Sequence, residues 1–477
     1  MRFPCGVQPP LAPPRGAVPL LGAVCGALLL GGCSATGQLL GRPAAPLPLP
    51  PGIEVAFNHR ADAHYRSPID GKPRAGDNLE ELLLRTIGSA RRDIAVAVQE
   101  LSLPAVARAL IAKQQQGVRV RVVLENTYST PWSEQHPVDL VPHLRHRQAQ
   151  LQALGWGDAV ALLRAARVPL IDDTADGSAG SGLMHHKFLV VDGRVVVSGS
   201  ANFTPSCIHG DPDDPRTRGN VNHLLRFESP ELAQVFLREF ERLWGDGPGG
   251  APDSRFGVGK GGGGVQRVLV QGTPVQVLFA PHRRSDPANG LHWLAQLLGQ
   301  AQQRIDLALF VFSAQNLADG LAERQAHRVK IRMLADPGFA HRSFSEVLDL
   351  LGVELPDRRC RIEAGNRRWG QALAGVGVPQ LAGGDKLHHK FAVIDGRRVI
   401  AGSFNWSPSA AHQNEETLLV IDSPPLAAHF TREMERLWKG ADLGVTPRLQ
   451  RRIERLRRSC GQGPASTIQA ESAESEP

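Results

Sequence analysis

Apolar residues recur at helical spacing from Leu79 to Ala90 and from Leu103 to Gln115, whereas Asp93–Val98 and Val118–Leu124 are β-rich runs. The second half of the chain repeats the alternation. Leu294–Ala301 and Leu317–Gln325 read as helices, and Ile305–Phe312 and Val329–Leu334 read as strands. Two further pairs of apolar runs flank Asp192-Gly193 and Asp395-Gly396, which predicts tight hairpins at both places. Strands alternating with helices imply an α/β fold whose sheet is covered on both faces.

The likeness of the halves extends to residues. Ala90–Ile94 returns as Ala301–Ile305, and Val118–Val122 as Val329–Met333, both at an offset of 211. His185–Asn202 returns as His388–Asn405 at an offset of 203, and Glu228–Trp244 as Asp422–Trp438 at 194. Preserved order with a shrinking offset indicates a duplication with shorter loops in the second copy. The expected organisation is a leader 1–33, a linker 34–51, repeat 1 over 52–247, a Gly-rich linker 248–265, repeat 2 over 266–442, and a basic segment with a disordered tail over 443–477. Lys260 stands beside glycines, but Gly261 follows it where a Walker loop needs Ser or Thr, so the stretch reads as a flexible linker.

Composition narrows this only slightly. The 477 residues are 42% hydrophobic and 21% charged, as in an ordinary protein with a large core, and the net charge of +7 suits a phosphate-bearing substrate without demanding nucleic acid. Ala17–Leu30 is an apolar stretch too short for a comfortable membrane span and ends in Gly31-Gly32-Cys33-Ser34. It resembles the lipobox of bacterial lipoproteins, which implies acylation of Cys33, export and a lipid-anchored place in the bacterial cell envelope; a plain secretory signal is the alternative. Outside the leader remain Cys207, Cys360 and Cys460, for which a Cys360–Cys460 bridge and free buried thiols are equally open. Arg448–Arg458 is a basic segment that could meet anionic lipid or nucleic acid, with a solvated helix face as the blander reading.

The chemistry sits in the 203-offset block. His185-His186-Lys187, Asp192 and Gly199-Ser200-Ala201-Asn202 recur as His388-His389-Lys390, Asp395 and Gly402-Ser403-Phe404-Asn405 at identical spacing. Residues two apart on a strand share a face, so His185 and Lys187 point together and His186 points away. An imidazole can attack phosphorus or protonate a leaving alcohol, a lysine neutralises a phosphate oxygen, and Ser200, Asn202, Ser403 and Asn405 can donate hydrogen bonds. Two copies supply both a nucleophile and an acid. No metal or other cofactor is called for; His143-x-x-His146 is the nearest metal-like spacing, and it is rejected.

These residues resemble the HKD signature of the phospholipase D superfamily over Ile53 to Asp442, including the downstream Asn414-Glu415-Glu416. The resemblance implies two pseudo-symmetric αβαβα repeats packed side by side with one active site at their interface, and supporting rather than reactive roles for Asp192 and Asp395. It also implies that the acidic position of one repeat orients the histidine of the other. Repeat 1 departs from the pattern, with Asn220-Val221-Asn222, so Glu416 would hold His185 and Asn222 would contact His388. A carboxylate stabilises a cationic imidazole and an amide only orients it, which favours His185 as nucleophile and His388 as general acid. The expected activity is phospholipase D-like hydrolysis of a phospholipid through a phosphohistidine. An envelope nuclease, a phosphatidyl transferase of cardiolipin synthase type and a silent scaffold are the alternatives. The expected partners are a phospholipid or other phosphodiester, a membrane reached through the lipid anchor, and nucleic acid in the second reading, with the chain a monomer. Trp132, Trp156, Trp369 and Trp406 could stack on bases or meet lipid, but packing is the plainer reading.

Overall fold

The computed structural model describes residues 46–468 apart from 69–70, 154, 156, 178–181, 212–215 and 462–465. The leader with Cys33, Trp156 and the end of the tail lie outside the described residues. Repeat 1 contains β1 (Ile53–Phe57), α1 (Leu79–Gly88), β2 (Asp93–Val98), α2 (Pro104–Gln115), β3 (Arg119–Leu124), β4 (Leu170–Asp172), β5 (Lys187–Val191), β6 (Val195–Gly199), β7 (His223–Glu228) and α3 (Pro230–Trp244). Its strands form one seven-stranded sheet in the order β1-β7-β6-β5-β2-β3-β4. Repeat 2 contains β8 (Gln266–Val270), β9 (Thr273–Ala280), α4 (Gly290–Gly299), β10 (Arg304–Leu309), α5 (Gln315–Ala326), β11 (Lys330–Ala335), β12 (Val376–Val378), β13 (Lys390–Ile394), β14 (Arg398–Gly402), β15 (Glu416–Asp422), α6 (Pro424–Trp438) and β16 (Asp442–Leu443). These strands form a separate nine-stranded sheet, β8-β9-β15-β14-β13-β10-β11-β12-β16. A final helix, α7, spans Pro447–Cys460.

Local sequence explains the elements. Asn78 caps α1 by accepting from the Glu81 N–H, Glu80 and Glu81 lie in the first turn and Arg85 in the last, and Leu79, Leu82, Leu83 and Ile87 are buried. Ser229-Pro230 starts α3 and Ser423-Pro424 starts α6, each serine accepting from a backbone N–H in the first turn. Strand β5 is buried along its whole length, because helices α1 and α2 cover one face of the sheet while α3 and the other repeat cover the second. One core cluster joins the inner faces of both sheets through Phe188, Phe236, Phe279, Phe391 and Phe430. Trp406 and Trp369 are buried, in the core of repeat 2. Strand β10 stops at Leu309, short of the expected Phe312, and leaves Phe310 half-buried beside His388.

Both predicted hairpins are present. Asp192 and Gly193 have φ of 54° and 61°, and Asp395 and Gly396 have 51° and 62°, the left-handed pair that a two-residue hairpin turn requires. The aspartates also do a second job. Asp192 accepts the N–H groups of Arg91, Arg92 and Asp93 at 2.9, 2.7 and 3.0 Å. Asp395 accepts those of Gln302, Gln303 and Arg304 at 2.9, 2.8 and 2.9 Å. Burial raises the Asp192 carboxyl, but these donors outweigh it and hold the group below its ordinary value. Each aspartate thus pins the turn that leads into the central strand, at the far end of its hairpin from the motif lysine.

Cys360 and Cys460 form a disulfide that ties the end of α7 to repeat 2, and Cys207 is a buried free thiol. The glycine-rich stretch is not the flexible linker expected around Lys260. That side chain is 1% exposed and ion-paired to both Glu239 of α3 and Glu415, and its ammonium also donates to the Ala280 carbonyl at 2.9 Å. The Gly257 N–H adds a bond to Glu415 at 2.5 Å. Two buried carboxylates need a cation, and the connection between repeats supplies it. Replacing Lys260 with Met should therefore cost about 3–5 kcal/mol in denaturant unfolding, the range for stranding a buried charge, whereas Lys260→Arg should recover part of the loss.

Candidate active site

The site is set by backbone pairing between the repeats. The Glu415 N–H donates to the Leu183 carbonyl at 2.8 Å, and the His185 N–H donates to the Glu415 carbonyl at 3.1 Å. The matching pair runs the other way, with the Val221 N–H on the Lys386 carbonyl at 2.7 Å and the His388 N–H on the Val221 carbonyl at 3.1 Å. These two short bridges, Met184–Glu415 and Val221–Leu387, bring each His-x-Lys strand against the start of β15 or β7 in the opposite repeat.

Side chains follow the same crossing. His185 Nδ1 lies 2.7 Å from Glu416 Oε1, both groups buried. His388 Nδ1 lies 2.9 Å from Asn222 Oδ1. Serines fix the two partners from within their own repeats: Ser403 Oγ donates to Glu416 Oε2 at 2.5 Å, and Ser200 Oγ donates to Asn222 Oδ1 at 2.8 Å. Their hydroxyls are thereby committed to support rather than to phosphate. Asn222 Nδ2 donates to the carbonyls of Cys207 and Asn220, both at 2.9 Å, so its Oδ1 is the acceptor that faces His388. His388 must carry its proton on Nδ1 to meet that oxygen, which leaves Nε2 for other chemistry. Glu416 Oε1 stands against His185 Nδ1 as a carboxylate able to pair with that ring when it is charged.

The lysines sit on the histidines' own strands. Lys187 Nζ donates to the His185 carbonyl at 2.7 Å and to Gln99 Oε1 at 3.2 Å, and Asn202 Nδ2 donates to the same Gln99 oxygen at 3.2 Å. Lys390 Nζ donates to the His388 carbonyl at 2.9 Å and lies 4.9 Å from the centre of the Phe310 ring. Asn405 is buried and its Oδ1 has no protein partner. Burial lowers Lys187 to about 7, with Glu416 the largest opposing influence. Burial and then Lys187 lower Lys390 well below its ordinary value. His185 and His388 are likewise lowered by burial and by both lysines. Four groups that each gain a positive charge on protonation are crowded together and dehydrated, a setting that a bound anion improves by offsetting the charge of those that are protonated.

His186 and His389 point the other way and are structural. His186 Nδ1 is 2.9 Å from Thr417 Oγ1, and its Nε2 is 3.6 Å from Glu239. His389 Nδ1 is 3.0 Å from His223 Nδ1, and its Nε2 is 3.0 Å from Glu433 Oε1. Burial opposes ionisation of Glu433, but Arg436 and His389 hold its carboxyl far below the usual range. Among the described residues, His186, Glu239 and Glu415 form one buried group whose polar atoms lie within 4.8 Å of one another, close enough to hold a metal ion. Lys260 already ion-pairs with both glutamates, so a cation of the chain's own serves that cluster. The side chain of His143 lies outside the described residues. Gln99, Phe310, His223, Glu239 and Glu433 were not singled out in the sequence, and Lys260 was considered there only as a linker residue. Gln99 and Phe310 had a signal, since each follows a central strand at the 211 offset.

The family described as "Cardiolipin synthase, PLD-like domain" matches residues 83–244 and 294–438. The mitochondrial cardiolipin hydrolase of Xenopus laevis is 32% identical over 170 residues, which cover 36% of this chain and 70% of that protein. The human protein of the same name is 31% identical over 169 residues, so the chain spans about half of it, 52%. The crystal structure of phosphatidylserine synthase from Haemophilus influenzae matches 85% of this chain and 95% of its own with a TM-score of 0.51 and 12% identity, a likeness of fold alone. The expected location in a bacterial cell envelope is corrected by these relatives, which are named as mitochondrial enzymes, and the leader that suggested it lies outside the described residues. Among the described residues no helix is long and apolar enough to cross a membrane. With both halves matched, the chain belongs to the phospholipase D superfamily of phosphodiester hydrolases, through a duplicated PLD-like domain.

Proposed function

We propose that this chain hydrolyses a phospholipid phosphodiester, cardiolipin foremost, at one active site between two pseudo-symmetric repeats. The observation that carries the reading is the crossed pair of contacts, His185 to Glu416 and His388 to Asn222, with Lys187 and Lys390 beside them. Cardiolipin is put first because the name of the curated relatives supports it. His185 Nε2 attacks phosphorus as the bond to the leaving alcohol breaks, and His388 Nε2 gives its proton to that alcohol. His388 then takes a proton from water, whose oxygen attacks phosphorus and releases His185. Lys187 and Lys390 neutralise the non-bridging oxygens, and Asn202 and Asn405 flank them. The carboxylate of Glu416 stabilises the charge on His185 as it forms the phosphohistidine, a service that the amide of Asn222 cannot give to His388. No step needs a metal ion.

The full chain is to be offered radiolabelled cardiolipin, phosphatidylcholine, plasmid DNA and bis(p-nitrophenyl) phosphate, with and without EDTA. Cleavage of cardiolipin that survives EDTA is expected. DNA loss without lipid cleavage would establish the nuclease instead, and transfer of label to an added alcohol the transferase. His388→Asn should lower kcat by about 10²–10⁴-fold, the usual contribution of a general acid, and leave label trapped on His185. His185→Asn should take up none. Label on His388 in the wild-type enzyme would reverse the roles.

A pH profile separates the roles independently. Burial, Lys390, Lys187, His185 and Lys386 all lower His388, so in the free enzyme its proton is lost before neutrality and kcat/KM should fall with rising pH from an optimum below 6.5. Asn222→Asp puts a carboxylate against His388 and raises its pKa, so the descending limb should move up by about one unit or more. The ascending limb, which reports His185, should stay in place.

A further inference from the structure

We propose that helix α7 is a docking face for an anionic phospholipid bilayer, placed so that the bound membrane meets the mouth of the active site. Leu449 and Ile453 bury the inner side of the helix against the core of repeat 2, and Cys460 anchors its end through the disulfide. The rest of the helix is one-signed. Arg448, Arg451, Arg452, Arg455, Arg457 and Arg458 are exposed, and Glu454 is the helix's lone acid. Arg448 and Arg452 stand four apart, as do Arg451 and Arg455, a spacing at which like charges repel. Burial and the charges of Arg342, Arg448 and Arg455 hold the Arg452 guanidinium below its ordinary value. A helix needed only for packing would keep Leu449 and Ile453 and mix its outer charges. An outer face of mutually repelling guanidiniums is complementary to a plane of phosphates.

Two features favour a bilayer over a nucleic acid. The basic face is a convex helix rather than a groove, and Leu443 and Val445, just before the helix, leave 38% and 40% of their surface exposed. Apolar side chains flanking a basic helix suit the boundary between headgroups and acyl chains. A path leads from the face toward the reacting groups through Arg342, which lies outside the helix but whose charge acts on Arg452. The Arg342 guanidinium lies 4.7 Å from the Phe339 ring centre, Phe339 and Phe310 are 4.6 Å apart, and Phe310 and His388 are 4.8 Å apart. A bilayer on α7 would therefore lie a short chain of side chains from the candidate acid.

Docking is read as binding, so it stands or falls apart from the phospholipase reading. The full chain is mixed with vesicles of phosphatidylcholine alone or of phosphatidylcholine with phosphatidylglycerol and sedimented over a range of salt. Co-sedimentation is expected only with the anionic vesicles, weakening as salt rises through physiological strength, where the screening length is about 8 Å. The triple variant Arg448→Gln, Arg452→Gln, Arg455→Gln should bind at least about tenfold more weakly, with an unchanged unfolding midpoint. The corresponding triple Lys variant should bind as the wild type does. Undiminished binding by the Gln variant, or no binding by the wild type, would overturn the proposal. So would tighter binding of a single-stranded oligonucleotide through the same arginines, which would make the face a nucleic-acid surface.

Discussion

Everything at the candidate site depends on the two backbone bridges by which each repeat reaches into the other, Met184 to Glu415 and Val221 to Leu387. Each bridge is only a couple of hydrogen bonds, yet it sets the register of a whole side-chain row. A slip of one residue would turn His185 away from Glu416 and replace it with His186, because strand side chains alternate. The bridges are held in turn by the shared core of phenylalanines beneath them and by the two hairpins above. That is why motif positions far apart in sequence, such as Asp192 and Asp395, matter without touching the reacting groups. They fix the turns that fix the strands that carry the lysines.

Burial then does the electrostatic work. Water is excluded from His185, His388, Lys187 and Lys390 together, so burial lowers all four, and the two lysines lower both histidines further. The empty site is held in a state that an anion improves. Immediately behind it lie carboxylates with their own cations, Glu239 with Lys260 and Glu433 with Arg436. These pairs keep His186 and His389 oriented while adding little net charge to the front. The arrangement separates a layer that must respond to substrate from a layer that must not.

Much of this was legible in the sequence because it depended on spacing. The duplication, the hairpin turns and the shared face of His185 and Lys187 follow from local pattern alone. The crossing of His185 to Glu416 came only from the resemblance to a family, since no local rule says which repeat a side chain will meet. Lys260 was misread for a related reason. Its surroundings are glycine, and only the folded chain shows that Glu239 and Glu415, distant in sequence, converge on it. Phe310 was read as strand because its neighbours are apolar, although the ladder stops one residue earlier. The leader misled on location because it resembles an export signal, whereas the relatives carry a mitochondrial name.

The copies differ where they face each other. Glu416 opposes Asn222, Thr417 opposes His223, Gln99 opposes Phe310, and Glu239 is met by both Arg242 and Lys260 where Glu433 is met by Arg436. In two separate sites, each such change would damage one copy and spare the other. In one shared site the same change alters a single histidine's surroundings, and the pair becomes unequal while staying complete. The two-step reaction proposed above asks for that inequality, because in it one imidazole bears a positive charge while bonded to phosphorus and the other exchanges a proton. In that proposal Glu416 suits the first and Asn222 is sufficient for the second. Some of the divergence between the repeats thus falls where a shared site can use it, while His, Lys, Ser and Asn of each motif remain alike.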